Sequence, residues 1–516
     1  MQKKVLWSLC VAAGSCACVW AANWPSVGGN PQRDGYANPE THISAANAKN
    51  VKQLYKHKFE TKGIVTSTID LERIIGITGF HELLWTGSSA GDVWLTDADL
   101  AYDFKHVTLP AKEKGTGKTS AMCPGGMTAP PLLTGGSTVG RFGGGFGGRT
   151  VAVTYVLGPD GTLIPLRQQD GDPTYIPGQK LVPAGSNVPA LNISGDGTLF
   201  AATINGCGGA GNGLYAANFK GPETENEPNK PFKTPAVWGS VVSFMTNGAG
   251  FAGTGSTAIG TKNDFVVGTV PEGKGDVAGA YSDTVLKLDP KTLEVKDYFT
   301  PSEKAPAYKP GAAGVTPAVF AEGGKDYVVA GDRNGKIYLL DSTALGGSDH
   351  HTPVASTESI VAPDASGSNG IFGTFATFAD TEHGNTRWLF AAVRGPVAAK
   401  FAGANGALAN GGIVAFKIDF AGGRPKLVPA WSSPDMIGAS GPIIAGGVVY
   451  GLASGWSAKG SKPAVLHLLD LATGKPLYSS TPAATYSSQP LAFANGHAYF
   501  VTHDNTLYQY GIPEEK

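Results

Sequence analysis

The sequence predicts an all-β fold, an eight-bladed β-propeller closed by an N-terminal strand. Three observations carry this: a recurring triplet of short strands, apolar/polar alternation with no sustained helical period, and one strand near the start that belongs to no triplet. The repeating unit is an apolar strand, a turn, a second apolar strand, a Gly/Asp/Asn turn, and a third strand ending near an Asp. Residues 316–341 read TPAVFAEGGKDYVVAGDRNGKIYLLD. Residues 441–474 keep that order with a longer second turn, and residues 489–510 give it again as QPLAFANGHAYFVTHDNTLYQY.

Taken in order, the first 21 residues read as an export signal. Lys3 and Lys4 precede an apolar run, 5–20, that ends in small residues, with cleavage expected after Ala21. Residues 22–516 then form the propeller, in a periplasmic or secreted protein with no transmembrane segment once the signal is removed. The Ala-Gly-Ser before Cys16 admits an alternative, a lipid anchor on that cysteine.

One anchor in each third strand marks eight units: Val93, Leu163, Leu214, Val285, Ile337, Val414, Val465 and Leu507. Open sheet edges invite aggregation, so a ring of sheets must close. Too few residues follow Leu507 for another turn and strand, whereas residues 51–61 (VKQLYKHKFET) are strand-like. They are expected to supply the outer strand of the last blade.

Charged residues are scarce at 16%, and Lys+Arg 40 nearly balances Asp+Glu 41. That leaves no global field for nucleic acid or anionic lipid. Of the five cysteines only Cys123 and Cys207 lie beyond the signal, and two thiols in an oxidising compartment point to one disulfide. The order of strands in a blade puts the loops before first strands on the same face as those between second and third strands. Most long insertions fall there: 101–129, 216–253, 271–282, 342–372, 394–411 and 454–463. Cys123 and Cys207 map to this face on adjacent blades. A covered, partly apolar pocket near the axis is expected on it, for a small ligand or a protein partner.

The opening NWPSVGGNPQRDGYANPETHISAANAKNVKQL, with Trp24 and the Gly28-Gly29 pair, resembles the leading segment of the pyrroloquinoline-quinone (PQQ) repeat, or quinoprotein-like, propellers. Asp470-Leu-Ala-Thr473-Gly474, followed by Tyr478, is similar to that family's D-x-x-T-G-x-x-x-W motif, and Asp289-Pro-Lys-Thr292 is a partial copy. The motif makes a tight turn whose side chains bond backbone amides, with an aromatic wedged between sheets. In the family's alcohol dehydrogenases, PQQ is accompanied by a vicinal Cys-Cys disulfide, a catalytic Asp, Ca²⁺ ligands and a cation in an N/D-R/K-N-G turn. Asp332-Arg333-Asn334-Gly335 matches the last. No Cys-Cys pair exists, and the segment KAPAYKPGAAGV (304–315) carries no carboxylate where the Asp-rich stretch belongs. No base is therefore evident to take the alcohol proton as hydride leaves, and C-x-x-C-H, the haem signature, is absent.

Candidate ligand- or cofactor-binding residues are Arg333 and Asn334 in that turn, Arg394 and Trp456 at the beginnings of two insertions, and Trp238 with Phe244 in another. An arginine there would hold a quinone or carboxylate oxygen, and a tryptophan would stack on a planar ligand. His503 and Asp504, in the last blade's turn, are candidates for binding or proton relay. No metal site is expected from ligand spacing: His350-His351 lacks zinc spacing. Gly87 to Gly91 fits G-x-S-x-G but joins two strands, and Gly206 to Gly211 fits G-x-G-x-x-G but precedes a strand. The Gly-rich run 143–148 reads as flexible connection on the opposite face. Three functions follow: a degenerate quinoprotein-type propeller that binds a ligand or protein, a PQQ-dependent dehydrogenase with Ca²⁺ and a rearranged site, or a scaffold like that of outer-membrane assembly.

Overall fold

The chain is described here from a computed structural model covering residues 23–513, apart from short stretches of which 135–152, 221–236, 272–280 and 303–313 are the longest. The expected export signal, Cys16, the run 143–148 and most of 304–315 lie outside the described residues.

Eight sheets make eight blades, antiparallel except where Val315–Thr316 adds in parallel to the first strand of blade 6, and all but the last ordered along the chain from inside to outside. Blade 1 spans 69–108, blade 2 132–180, blade 3 191–245, blade 4 257–299, blade 5 318–356, blade 6 370–432 and blade 7 443–479. Blade 8 spans 492–511 and borrows 52–58. Among the described residues the only helical elements are four three-residue 3-10 turns. All eight anchors lie in third strands, for example Val93 in Asp92–Asp97 and Leu507 in Thr506–Gly511. Successive first strands approach one another around the axis.

Each blade also has an outermost strand that the triplet pattern does not reveal. These strands are brief, such as Gln179–Lys180 and Ala355–Ser356, or largely exposed, such as Tyr102–Thr108. Water on the outer side removes the alternation that marks a half-buried strand. The stretches 101–129, 216–253 and 342–372 are therefore loop only in part, because each contains an outer strand.

Lys52–Lys58 pairs antiparallel with Thr506–Gly511, Lys52 opposite Gly511 and Lys58 opposite Thr506. The N-terminal strand thus seals the last blade. One apolar cluster joins Leu84 and Trp94 of blade 1 to Phe493 and Tyr499 of blade 8 and Tyr450 and Leu468 of blade 7, so the ring is packed across its closing seam. A polar staple crosses the same seam. The buried Glu82 accepts a hydrogen bond from Tyr499 Oη at 2.6 Å and another from Asn495 Nδ2 at 2.7 Å.

The Asp470 turn shows what the repeat motif does. Asp470 Oδ1 accepts from the Thr473 amide at 2.9 Å and from Thr473 Oγ1 at 2.6 Å. Gly474 has φ +69°, and a Cβ there would lie 2.3 Å from the Trp431 ring of blade 6. That indole is the wedge between the two sheets, and its Nε1 donates to Leu471 O at 2.8 Å.

Segment 24–40 touches every blade in turn. Trp24 exchanges backbone bonds with Asp70 of blade 1, and Pro25 O accepts from Leu133 of blade 2. Arg33 Nη2 donates to Leu191 O of blade 3 at 2.7 Å. Pro31 O, Gln32 O and Asp34 O then accept from Ile259, Val319 and Thr377 of blades 4, 5 and 6, and Gly35 and Ala37 bracket Ile444 of blade 7. Glu40 Oε2 accepts from the Gly496 amide of blade 8 at 3.0 Å. Gly35, at φ +63°, is required because a Cβ would lie 2.9 Å from Phe375 O. The segment acts as an axial plug tying together the first strands of blades 1 to 7 and the turn after the first strand of blade 8.

Candidate functional site

Connections before first strands and between second and third strands emerge at one end of the axis. At that end a cleft of about 640 Å³ is lined from four blades: Thr254 before blade 4, Gly373 and Arg394 of blade 6, Ser440, Gly441, Ser454 and Trp456 of blade 7, and residues 487–490 before blade 8. On blade 7 Ser440 and Gly441, and on blade 8 residues 487–490, precede the first strands, while Ser454 and Trp456 follow the second strand of blade 7. At blade 4 the plug reaches the cleft lining, since a Cβ at Gly255, next to Thr254, would lie 3.4 Å from Arg33 Cδ.

Arg394 ends the second strand of blade 6, Thr386–Arg394, and pairs with Gly370 on one side and Gly411 on the other. Its guanidinium lies between two rings, 4.6 Å from Phe372 and 5.4 Å from Trp456, and Nε donates to Ala439 O at 3.4 Å. Aromatic faces attract a cation through the ring quadrupole. Among the described residues no carboxylate stands within ion-pair distance of Arg394, in contrast to Arg387, whose Nη2 lies 3.2 Å from Glu322 Oε2. Burial pulls the Arg394 pKa down to about 10, which leaves it charged at neutral pH. The rest of the lining is hydroxyl and amide: Thr254, Ser440, Ser454, Ser487, Ser488 and Gln489, with no acidic side chain. Ser440 Oγ is buried without a hydrogen-bond partner.

The structure thus brings Arg394 and Trp456 together and places the other sequence candidates elsewhere. Arg333, 3% exposed, sits with Asp332 against a separate, largely apolar cavity between blades 4 and 5. Its Nη2 donates to Pro271 O at 3.3 Å, and Asn334 is buried beside it. Burial raises the Asp332 pKa, and its carboxylate accepts from Tyr338 Oη at 2.9 Å. Trp238 packs at the seam of blades 2 and 3, with ring centroids 5.0 Å from Phe219 and 5.9 Å from Tyr155, and Nε1 donating to Pro177 O at 2.7 Å. Phe244 belongs to the outer strand of blade 3. His503 stacks on Tyr486, while Asp504 accepts from Thr502 Oγ1 and Thr506 Oγ1 within its own turn.

Cys123 and Cys207 form a disulfide. It joins the segment before blade 2 to the turn between the second and third strands of blade 3. A second cleft of about 920 Å³ lies beside it, lined by Glu113, Lys114, Thr116 and Thr119. Sequence reasoning missed Phe372, Thr254, Ser440 and the Ser487-Ser488-Gln489 run. The one legible signal was positional, since small hydroxyl residues precede the first strands of blades 4, 7 and 8.

Together these features define an eight-bladed propeller with an axial cation. No protein-family model matches the sequence, and no curated protein matches it. Solved structures do share the fold. The quinohemoprotein alcohol dehydrogenase from Comamonas testosteroni aligns with 96% of this chain and 81% of its own, at 14% identity and a TM-score of 0.53. The quinohemoprotein alcohol dehydrogenase ADHIIG from Pseudomonas putida HK5 aligns with 96% of this chain and 82% of its own, at 12% identity and a TM-score of 0.55. A europium-containing methanol dehydrogenase aligns with 95% and 89%, at 12% identity and a TM-score of 0.52. At such identities the likeness is one of fold, and function must be argued from the site.

Proposed function

We propose that the chain is an exported, quinoprotein-like propeller that binds a small ligand in its axial cleft and does not oxidise it. The carrying observation is Arg394, a cation held between Phe372 and Trp456 at a cleft where four blades converge. Export is supported by the disulfide, which suits an oxidising compartment.

The fold's usual cofactor pair, PQQ with Ca²⁺, can be tested against the donors present. Ca²⁺ takes six to eight oxygens, typically including carboxylates. The cleft supplies hydroxyls and one amide but no carboxylate, and among the described residues no cluster of three His, Cys, Asp or Glu side chains stands close enough to hold a metal. These residues do not fit the pair. Nor does the lining provide a side chain to accept a proton from an alcohol. What it provides is a fixed charge, donors and an aromatic wall, which are the parts of a binding site.

The test is to incubate the purified protein with PQQ and Ca²⁺, desalt, and record both quinone absorbance and dye reduction across an alcohol panel. No retained chromophore and no dye reduction is expected. In parallel, a small-molecule library is screened by melting temperature, and hits are expected to lose their effect in Trp456→Ala. Alcohol-dependent dye reduction, or hits indifferent to that substitution, would overturn the reading.

A further inference from the structure

We infer that the ligand of the axial cleft is an organic monocarboxylate, held without a metal by a two-point ion pair to Arg394; this rests on the cleft being the binding site. The position of the arginine is set by the sheet, since strands on both sides pair with it through Gly370 and Gly411. A Cβ at Gly411 would lie 2.9 Å from Arg394 Cα, so the neighbouring strand closes tightly around that backbone. Phe372 and Trp456 then hold the guanidinium, and Nε is spent on Ala439 O. The hydrogens on the two terminal nitrogens remain as a fork for an anion.

Elsewhere the protein gives its arginines acceptors of its own. Arg167 bonds Asp170 and Asp172, Arg387 bonds Glu322, and the wholly buried Arg33 is met by Ser26 Oγ and by the carbonyls of Leu191 and Thr257. Arg394 has one carbonyl and, among the described residues, no carboxylate partner. A half-buried guanidinium so placed favours an anion, and a carboxylate matches its two parallel donors in spacing and plane.

The charge on that anion follows from the lining. No second Arg, no Lys and no His lines the cleft, so one negative charge is matched and a second would meet no further cation. Phosphate dianion is disfavoured on that ground. Ser440 Oγ is a buried lining hydroxyl without a partner, so a ligand oxygen there would satisfy it. Ser454 Oγ and Ser487 Oγ already donate to Gly438 O and Val501 O. The ligand body rests against Trp456 and Pro490.

The test titrates the full chain with benzoate and gluconate, with benzamide and gluconamide as uncharged counterparts, and with inorganic phosphate, each in EDTA and in Ca²⁺. Intrinsic fluorescence is read against a Trp456→Phe control, so that only the change at Trp456 counts. The expected result is that at least one acid binds about tenfold or more tighter than its amide, equally with and without Ca²⁺. Benzoate preference would mark an apolar ligand body and gluconate preference a polyhydroxy one, and either supports the carboxylate. Arg394→Met is expected to abolish the acid preference without lowering the melting temperature, because it removes a cation that has no carboxylate partner among the described residues. Amides that bind as tightly as acids, or phosphate that binds more tightly, would overturn the ligand class while leaving the cleft as the site. No change at Trp456 with any compound would overturn the cleft itself. A variant that melts lower yet keeps the acid preference would make Arg394 a packing residue and refute the inference.

Discussion

Replacing Asp34 by Asn tests whether the axial plug is positioned as described, through a sign as well as a size. Asp34 lies mid-plug, where Oδ1 accepts from Asn30 Nδ2 at 2.7 Å and from the Tyr36 amide at 3.0 Å. Burial raises its pKa from 3.8 to about 6, against the opposing pull of those bonds and of Arg387. At about 1.4 kcal/mol per pKa unit, the ceiling on the cost of the charge is about 3 kcal/mol. Part of the side chain meets water, so about 1–2 kcal/mol is the reasonable expectation. An asparagine keeps an acceptor at the Oδ1 position for both bonds and carries no charge, so the variant should be more stable by that amount at pH 8. As pH falls from about 6 to 3.8 the native wild type takes up a proton while the unfolded chain stays ionised, and the wild type recovers what it had lost. The advantage of the variant should therefore be full above pH 6 and small at pH 4.5. Urea denaturation of both proteins at pH 8 and pH 4.5 measures it, with other titrating groups cancelling in the difference. A variant less stable than wild type at pH 8, or an advantage unchanged at pH 4.5, would refute the placement of Asp34.

Other perturbations address other joints of the ring. Arg33→Met strands acceptors on blades 3 and 4 and should cost about 3–5 kcal/mol by denaturant unfolding; a loss under 1 kcal/mol would mean the plug does not lock the blades. Tyr499→Phe removes the donor to buried Glu82 at the seam of blades 8 and 1 and should cost about 1–3 kcal/mol. Cysteines 84 residues apart close a long loop, so Cys123→Ser should lower stability by about 4 kcal/mol in non-reducing urea titrations and abolish any effect of reductant. Deleting 52–58 exposes the edge of Thr506–Gly511 and should produce aggregates by light scattering, whereas a monodisperse product would argue that the seam closes without that strand.

Several features were legible in the sequence because local chemistry carries them. Third strands are apolar and the Asp470 turn bonds nearby amides, so Val465–Asp470 and its Thr473-Gly474 tail are readable from residue type alone. The outer strands of blades 1 to 7 were not legible, because a two-residue strand such as Gln179–Lys180 has no period to detect. The site divided in the same way. Arg394 and Trp456 stood out as a cation and an aromatic at loop beginnings, but so did Trp238, which packs between blades 2 and 3. Nothing local separates a tryptophan wedged between sheets from one at the axis.

By itself, the sequence determined the strand content, the count of eight units, the strand that closes them and the pairing of the two remaining cysteines. Each of these depends on residue type and order along the chain. Only the tertiary structure decided that segment 24–40 bonds all eight blades, and that Thr254, Arg394, Trp456 and Ser487 face one cleft. Those residues lie far apart in sequence and meet because the ring curves them onto a shared axis. Which donors are already spent, as in Ser487, and which are left for a ligand, as in Arg394, is a property of that meeting.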